Sequence, residues 1–159
     1  MRVPWCLIVA LTCLGCTHEP PHQGKSAAEL ERMLRSADAD TQVQGAYGLS
    51  LLGPQARDAV PALVEALRAS HALLRQNAAL ALGKIGPDAR TAVPALVDAL
   101  GDQEWAVRRQ AAIALGEIGG DAAGVNAALE KLGKDPEQLV RRAAMDALAK
   151  VRGEGKAKK

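Results

Sequence analysis

The sequence predicts an all-α solenoid, a superhelix of about three and a half two-helix repeats, because one segment recurs at a fixed interval. Thirty-three residues separate Leu74 from Val107 and Val107 from Val140, and Thr41 lies the same distance before Leu74. The four segments are TQVQGAYGLSLLG, LRQNAALALGKIG, VRRQAAIALGEIG and VRRAAMDALAKVR. Three steps of one length do not arise from an alanine-rich composition alone. We therefore expect each segment to form the same structural unit.

Each repeat contains the apolar spacing of two helices. Val107, Ala111 and Leu115 are four residues apart, which places them on one side of a helix. Gly119 ends the segment, as is typical of a helix C-terminus, where glycine adopts a left-handed conformation without a Cβ clash. In the preceding copy a second apolar run follows, and Pro94 fits its first turn, where no backbone N–H is needed. We expect a helix, a short Gly-Pro corner and a second helix in every unit.

The repeat pattern resembles a known family. Val-Arg-Arg-x-Ala-Ala-x-Ala-Leu-Gly-x-Ile-Gly, followed by Ala-Val-Pro-Ala-Leu-Val-x-Ala-Leu, is similar to the short HEAT-like repeats of the phycobilisome-lyase type, and the resemblance covers residues 26–152. The signature segments of ankyrin and tetratricopeptide repeats, which have nearly the same period, do not occur. The resemblance implies a repeat domain over residues 26–152 but no particular activity, because function belongs to sites and not to folds.

Residues 1–15 have the features of a signal peptide. A basic start precedes an apolar run of 13 residues, which is shorter than the roughly 17 residues that are needed to span a bilayer. Leu14-Gly15-Cys16 resembles the cleavage box of bacterial lipoproteins, and this resemblance implies that Cys16 is acylated and becomes the new N-terminus. The alternative is that Cys16 is a small apolar residue tolerated in a signal segment.

Residues 16–25 contain the lipidated cysteine and a polar segment with Pro20, Pro21 and Gly24, which we interpret as a flexible tether. Acyl chains on Cys16 would hold the protein at a membrane. The residue after Cys16 is Thr17 and not aspartate, which at this position resembles the signal that retains a lipoprotein at the inner membrane. We therefore expect the protein at a bacterial outer membrane, facing the periplasm; the alternative is a periplasmic or secreted protein.

The first and last repeats are expected to be atypical, because terminal units of a solenoid must face water. Ser26 and Glu29 form the pattern of a capping box at the start of an N-terminal helix. Asp102 and Asp135 are each predicted to cap the helix that follows. Asp146 takes a position that Tyr47, Leu80 and Ile113 hold in earlier copies, which we expect to pack inside the stack. Residues 153–159 are predicted to be a basic, disordered tail.

No group of residues in the sequence indicates a catalytic site. A His-x-x-x-His spacing occurs only at His18 and His22, in the tether with two prolines between them, and a Cys-x-x-Cys spacing only at Cys13 and Cys16, where the predicted signal peptide ends. There is no phosphate-binding loop. Deoxyhypusine hydroxylases, which have similar repeats, use repeated His-Glu pairs, whereas the only such pair here is His18-Glu19 in the tether. We expect no catalytic residue, no metal and no cofactor. A small lyase-type HEAT-repeat enzyme, an enzyme subunit or a chaperone is the alternative.

The arginines indicate where a partner could bind. They recur at the repeat period, and two have a second arginine beside them. One interpretation is a structural ladder, in which each guanidinium bonds carboxylates or carbonyls of the next unit. The other is a basic strip that binds an acidic peptide or a lipid head group. Trp105 is either a binding contact or a ring folded over its own helix start. The candidate partner-binding residues are Arg75, Arg108, Arg109, Arg141, Arg142 and Trp105.

The overall charge argues against nucleic acid as the partner. The chain contains 20 lysines and arginines against 18 acidic residues, which gives little net attraction for phosphates. It contains only two tryptophans and one tyrosine, with no phenylalanine, too few to form a stacking surface for bases. We therefore expect a non-catalytic scaffold that binds another protein or an acidic peptide.

Overall fold

The computed structural model describes residues 22–119 and 123–153, and these residues form an all-helical protein. The signal peptide, Cys16 and residues 154–159 of the predicted tail lie outside the described residues. The helices of the described part are α1 (Ala27–Leu34), α2 (Ala39–Leu52), α3 (Val60–Ala66), α4 (Ala72–Ile85), α5 (Val93–Ala99), α6 (Trp105–Ile118), α7 (Ala123–Leu132) and α8 (Gln138–Val151). Within the same part, no helix has the length and apolar character needed to cross a bilayer.

The helices form two layers. The long helices α2, α4, α6 and α8 have 14 residues each. They pack directly on one another in chain order, α2 on α4, α4 on α6 and α6 on α8. The shorter helices α1, α3, α5 and α7 form the second layer, and each packs against the long helix that follows it. This arrangement confirms the predicted α-solenoid.

Small residues allow the long helices to approach closely. Gly83 of α4 faces Ala114 of α6, and Gly116 of α6 faces Ala147 of α8. A Cβ atom built on either glycine would lie 3.0 Å from the Cα atom of the opposing alanine. Because these contacts repeat at the sequence period, each repeat sits on the next in the same way.

The core runs along the whole stack and does not form a central globule, as expected for a repeat protein. At its N-terminal end, Leu30 and Leu34 of α1 are buried like Leu63 and Leu67, which are their counterparts in the α3 unit. The Ser26 side chain accepts a hydrogen bond from the Glu29 backbone N–H, and the Glu29 carboxylate accepts one from the Ser26 N–H. The predicted capping box is therefore confirmed, and α1 covers the first face of the stack.

The ends of the long helices agree with the prediction, but the corners differ from it. Gly53, Gly86 and Gly119 have φ angles of +56°, +73° and +67° at the ends of α2, α4 and α6. After α2 and α4, however, the chain continues as a 3₁₀-helix, over Gly53–Ala59 and Gly86–Ala92. The corner is thus helical itself and not a simple reversal.

Two local predictions were wrong. Asp102 and Asp135 do not cap α6 and α8, because the residues at the N-cap positions are Glu104 and Glu137. The row of equivalent repeat positions that begins with Tyr47 does not pack inside the stack. Tyr47 is 39% exposed, and its counterparts Leu80 and Ile113 are only partly buried. That row lies on the outer surface of the long-helix layer.

Candidate protein-binding surface

Two of the repeating arginines join neighbouring repeats through paired hydrogen bonds. Arg75 in α4 donates from Nε to Asp102 Oδ2 at 2.7 Å and from Nη2 to Asp102 Oδ1 at 2.8 Å. Arg108 in α6 bonds Asp135 in the same way, at 2.7 and 3.1 Å. We call these two pairs the arginine–aspartate ladder. Its geometry matches the structural interpretation of Arg75 and Arg108.

The remaining donor of each ladder arginine is also used. Arg75 Nη1 donates to the carbonyl oxygens of Ala69 and Ser70 at 2.9 and 2.8 Å. Arg108 Nη1 donates to the carbonyls of Asp102 and Gln103 at 2.8 and 3.0 Å. The two arginine side chains are only 14% and 13% exposed. Both guanidinium groups are therefore occupied in holding the repeats together.

The ladder sets the ionisation of its carboxylates. The side-chain hydrogen bonds from Arg75 hold the pKa of Asp102 below its ordinary value, although burial acts in the opposite direction. The hydrogen bonds from Arg108 lower the pKa of Asp135 for the same reason. Asp102 also accepts a hydrogen bond from the backbone N–H of Glu104 at 2.9 Å, and Asp135 accepts one from that of Glu137 at the same distance. Both aspartates are thus ionised partners of a largely buried pair.

The ladder is absent between the first two long helices. The position of Arg75 is occupied in α2 by Gln42, and the position of Asp102 is occupied by Ala69. Gln42 Nε2 keeps only the carbonyl bond, to Ser36 at 2.7 Å. The loss of the arginine thus coincides with the loss of its carboxylate.

Arg141 in α8 forms only part of the pattern. Its Nη1 donates to the carbonyls of Asp135 and Pro136 at 2.7 and 2.8 Å. Among the described residues, its Nε and Nη2 have no acceptor.

The exposed surface of α2, α4, α6 and α8, which we call the long-helix face, contains the other two candidate arginines. Arg109 and Arg142 are exposed at equivalent positions of α6 and α8. Neither has a hydrogen bond or an ion pair among the residues that the structure describes. With Ile113, Leu139 and Asp146 they line a cleft of about 350 Å³. Of the predicted arginines, these two have their whole guanidinium group available to a partner.

Apolar side chains continue this surface toward the N-terminus. Leu80 and Ile113 line a second cleft, of about 390 Å³, between α4 and α6. Its polar edge includes Lys84 and Glu117. The Glu117 carboxylate accepts a hydrogen bond from Lys150 of α8 at 2.6 Å. Both of these charged side chains are about half exposed. The long-helix face therefore has an apolar centre with charged side chains around it.

Trp105 is the first residue of α6. It is 40% exposed. Its role in binding stays a prediction.

The opposite side of the molecule has a cleft that no sequence pattern indicated. It lies between α5 and α7, has a volume of about 640 Å³ and is lined by Val97, Leu100, Ala128 and Leu132. Lys131 and Lys134 also line it. Sequence periodicity describes each helix face separately and not the gap between two short helices.

The comparison with known families agrees with this architecture. The family model for HEAT repeats matches residues 27–101 and 87–149. The chain belongs to the HEAT-repeat family. Among curated proteins, none matches this HEAT-repeat protein.

Several solved structures are similar to it. An engineered protein is 25% identical, with a TM-score of 0.69, over 80% of this chain and 62% of its own length. Human deoxyhypusine hydroxylase in complex with glycerol is 29% identical, with a TM-score of 0.65, over 84% and 46%. A designed armadillo repeat protein in complex with the peptide (KR)4 is 19% identical, with a TM-score of 0.68, over 79% and 64%. This HEAT-repeat protein thus spans less than two thirds of each of these chains.

Within residues 22–119 and 123–153 there is no group of three or more His, Cys, Asp or Glu side chains that could hold a metal ion. The His18-Glu19 pair lies outside the described residues.

Proposed function

We propose that this HEAT-repeat protein is a non-catalytic scaffold whose long-helix face binds an acidic segment of another protein. The observation that carries the proposal is the pair of exposed arginines, Arg109 and Arg142, on adjacent helices of one face. Exposed guanidinium groups beside apolar side chains suit a peptide that combines carboxylates with hydrophobic residues.

The spacing of the helices limits what the acidic segment can be. Packed helices lie about 8–10 Å apart, so the two arginines are separated by a similar distance across α6 and α8. An extended chain advances about 3.3 Å per residue. Alternate side chains of an extended chain share one face, so a peptide across the long helices would meet both arginines with acidic residues two positions apart, about 6.6 Å, and the long arginine side chains span the remaining distance.

Charge-reversal variants test this surface. Arg109→Glu and Arg142→Glu should each abolish retention of a stoichiometric partner from detergent-solubilised envelope membranes, because like charges then face each other. Arg90→Glu makes the same change at an exposed residue of the 3₁₀-helix Gly86–Ala92 and should retain the partner. Equal retention by all three variants would exclude the long-helix face. Arg108→Glu is unsuitable for this test, because it would also break the ladder.

We further propose that the scaffold is exported and held at a membrane by lipid on Cys16, with the repeat domain facing the periplasm. The support is the resemblance of Leu14-Gly15-Cys16 to a lipoprotein cleavage box. Mass spectrometry of the mature protein should find an N-terminal acylated Cys16, and Cys16→Ser should release the protein from the membrane fraction. A chain that begins at an unmodified Met1 would contradict the anchor.

A second candidate is an enzyme or an enzyme subunit. It is supported by the 29% identity with human deoxyhypusine hydroxylase. A stoichiometric metal ion or pigment that co-purifies with the protein would favour this alternative over a scaffold.

A further inference from the structure

The outer face of α8 differs from the equivalent faces of α4 and α6. At the positions of the fully buried Ala79 and Ala112, α8 carries Met145, which is 65% exposed. Leu148 and Val151 are only partly buried, whereas their counterparts in α4 and α6 are fully buried. Among the described residues, no element covers this face, which we call the α8 end face.

Arg141 shows what kind of ligand this face fits. Its Nη1 is fixed by the carbonyls of Asp135 and Pro136, as the Nη1 atoms of Arg75 and Arg108 are fixed by their own carbonyls. In both of those arginines, the edge formed by Nε and Nη2 binds one carboxylate with two hydrogen bonds. In Arg141 the same edge is held in place and has no acceptor in the described part of the chain. A planar, oriented guanidinium edge of this kind selects a carboxylate.

The chain contains two examples of such a ligand. Asp102 and Asp135 each lie three residues before a long helix, with a glutamate two residues further on. Each carboxylate binds its arginine and, at the same time, the backbone N–H of that glutamate. An aspartate in this position therefore brings the start of its own helix against the arginine-bearing helix.

We propose that the α8 end face binds a helix of another protein that begins with an Asp-x-Glu segment, and that this helix continues the stack by one layer. Its aspartate would occupy the free edge of Arg141. A glycine of the partner would face Ala149, because Ala149 replaces Gly83 and Gly116, which provide the close approach in the α4–α6 and α6–α8 interfaces. This surface is separate from the long-helix face.

A second copy of this chain does not fit the same role. The residue in the position of Asp102 at the start of the stack is Ser36, which has no carboxylate. The entry face of α2 is also covered by α1, which approaches Gly45 so closely that a Cβ there would lie 2.6 Å from the Leu34 nitrogen. Two α8 end faces against each other would oppose Arg141 to Arg141, and like charges repel.

A synthetic peptide provides the test. It contains residues 102–118 of this chain with Ala114→Gly and a fluorescent label, so that it carries the Asp-x-Glu start and the required glycine. Fluorescence anisotropy with the whole mature protein should detect binding. Arg141→Gln in the protein, or Asp102→Asn in the peptide, should weaken binding about tenfold, since each removes a charge-assisted pair.

The variants are matched to separate this surface from its neighbours. Gln42 shows that glutamine at the arginine position keeps the carbonyl bond, so Arg141→Gln removes only the carboxylate-binding edge. Arg142→Gln alters the long-helix face of the same helix and should leave peptide binding unchanged.

Three results would overturn the proposal. The first is no binding at peptide concentrations up to about 1 mM, a weak limit for a specific interface. The second is binding that Asp102→Asn does not weaken. The third is binding that occurs only after deletion of residues 154–159, which would mean that the chain's own Glu154 segment occupies the face.

Discussion

At the scale of single residues, two neighbouring arginines of one helix have different roles. Arg108 and Arg109 are adjacent in sequence, but an α-helix turns by about 100° per residue, so they emerge on different faces. Arg108 reaches Asp135 of the next repeat, whereas Arg109 lines the cleft of the long-helix face. The same chemical group thus stabilises the stack at one position and is available to a partner at the next.

This difference predicts unequal effects of one substitution. Arg108→Gln leaves the nearly buried Asp135 carboxylate without its partner and should lower the free energy of unfolding by about 3 kcal/mol. Arg109→Gln removes an exposed side chain and should change it by less than about 0.5 kcal/mol. Urea denaturation followed by circular dichroism measures both. Equal effects of the two variants would show that the ladder does not hold the repeats together.

The ladder also predicts a dependence of stability on pH. The pKa values of Asp102 and Asp135 are lowered in the folded protein, while an unfolded aspartate has a pKa of about 3.9. Their stabilisation is therefore complete above about pH 4 and is lost as the pH falls through the lower, folded values. The difference in unfolding free energy between the wild type and Asp102→Asn should be constant from pH 7 to about pH 5 and shrink below pH 4. A difference that stays constant at low pH would contradict the pKa shift.

At the scale of helices, glycine determines how closely the elements pack. Gly45 lies on α2 where α1 crosses it, and a Cβ at this position would lie 2.6 Å from the Leu34 nitrogen and 2.7 Å from the Leu30 oxygen. Both atoms belong to the backbone, so the contact cannot be relieved by a side-chain rotation. Gly45, Gly83 and Gly116 are thus positions of close contact as well as weak helix formers.

Alanine substitutions distinguish the two effects. Gly45→Ala should lower the free energy of unfolding by about 1–3 kcal/mol, because α1 must move outward. The cost of this movement outweighs the gain of about 1 kcal/mol from the higher helix propensity of alanine. A Cβ atom added to Gly124 in α7 would meet no atom of the described residues within 4 Å, so Gly124→Ala should be neutral or slightly stabilising. Thermal unfolding followed by circular dichroism compares the two variants. Stabilisation by both would show that α1 is not packed tightly on α2.

At the scale of the whole molecule, stability is distributed along the stack and does not reside in one core. Each repeat packs on its neighbours, as in other solenoids. The interior helices α4 and α6 pack against a long helix on both sides, whereas α8 has one on a single side in the described part. The long-helix face and the α8 end face, the two proposed partner surfaces, are both formed by the long helices.

Hydrogen exchange should therefore follow position in the stack. Backbone amides of α4 and α6 should exchange most slowly, and those of α1 and α8 several-fold faster, because the end units open without disrupting the interior. Exchange measured by mass spectrometry on peptic fragments tests the order. Uniform protection of all helices would indicate one cooperative globule instead of a repeat array.

Part of the site could have been found in the sequence. Asp102 and Asp135 recur at the same interval as Arg75 and Arg108, and the first copy lacks both members, with Gln42 and Ala69 in their places. This paired recurrence indicates an ion pair between repeats. The aspartates were predicted to be helix caps instead, because an acidic residue just before a helix fits that role equally well in sequence.

The sequence by itself determined the repeat, the all-α solenoid and the glycines that end the long helices, because these follow from local periodicity and from the backbone freedom of glycine. Only the tertiary structure decided which arginines are occupied, that the Tyr47 row faces outward, and that the Arg141 edge has no carboxylate in the described part. Those facts depend on the distance and rotation between neighbouring helices. A one-dimensional pattern specifies which residues repeat, but the packing of one helix on the next determines which of them meet.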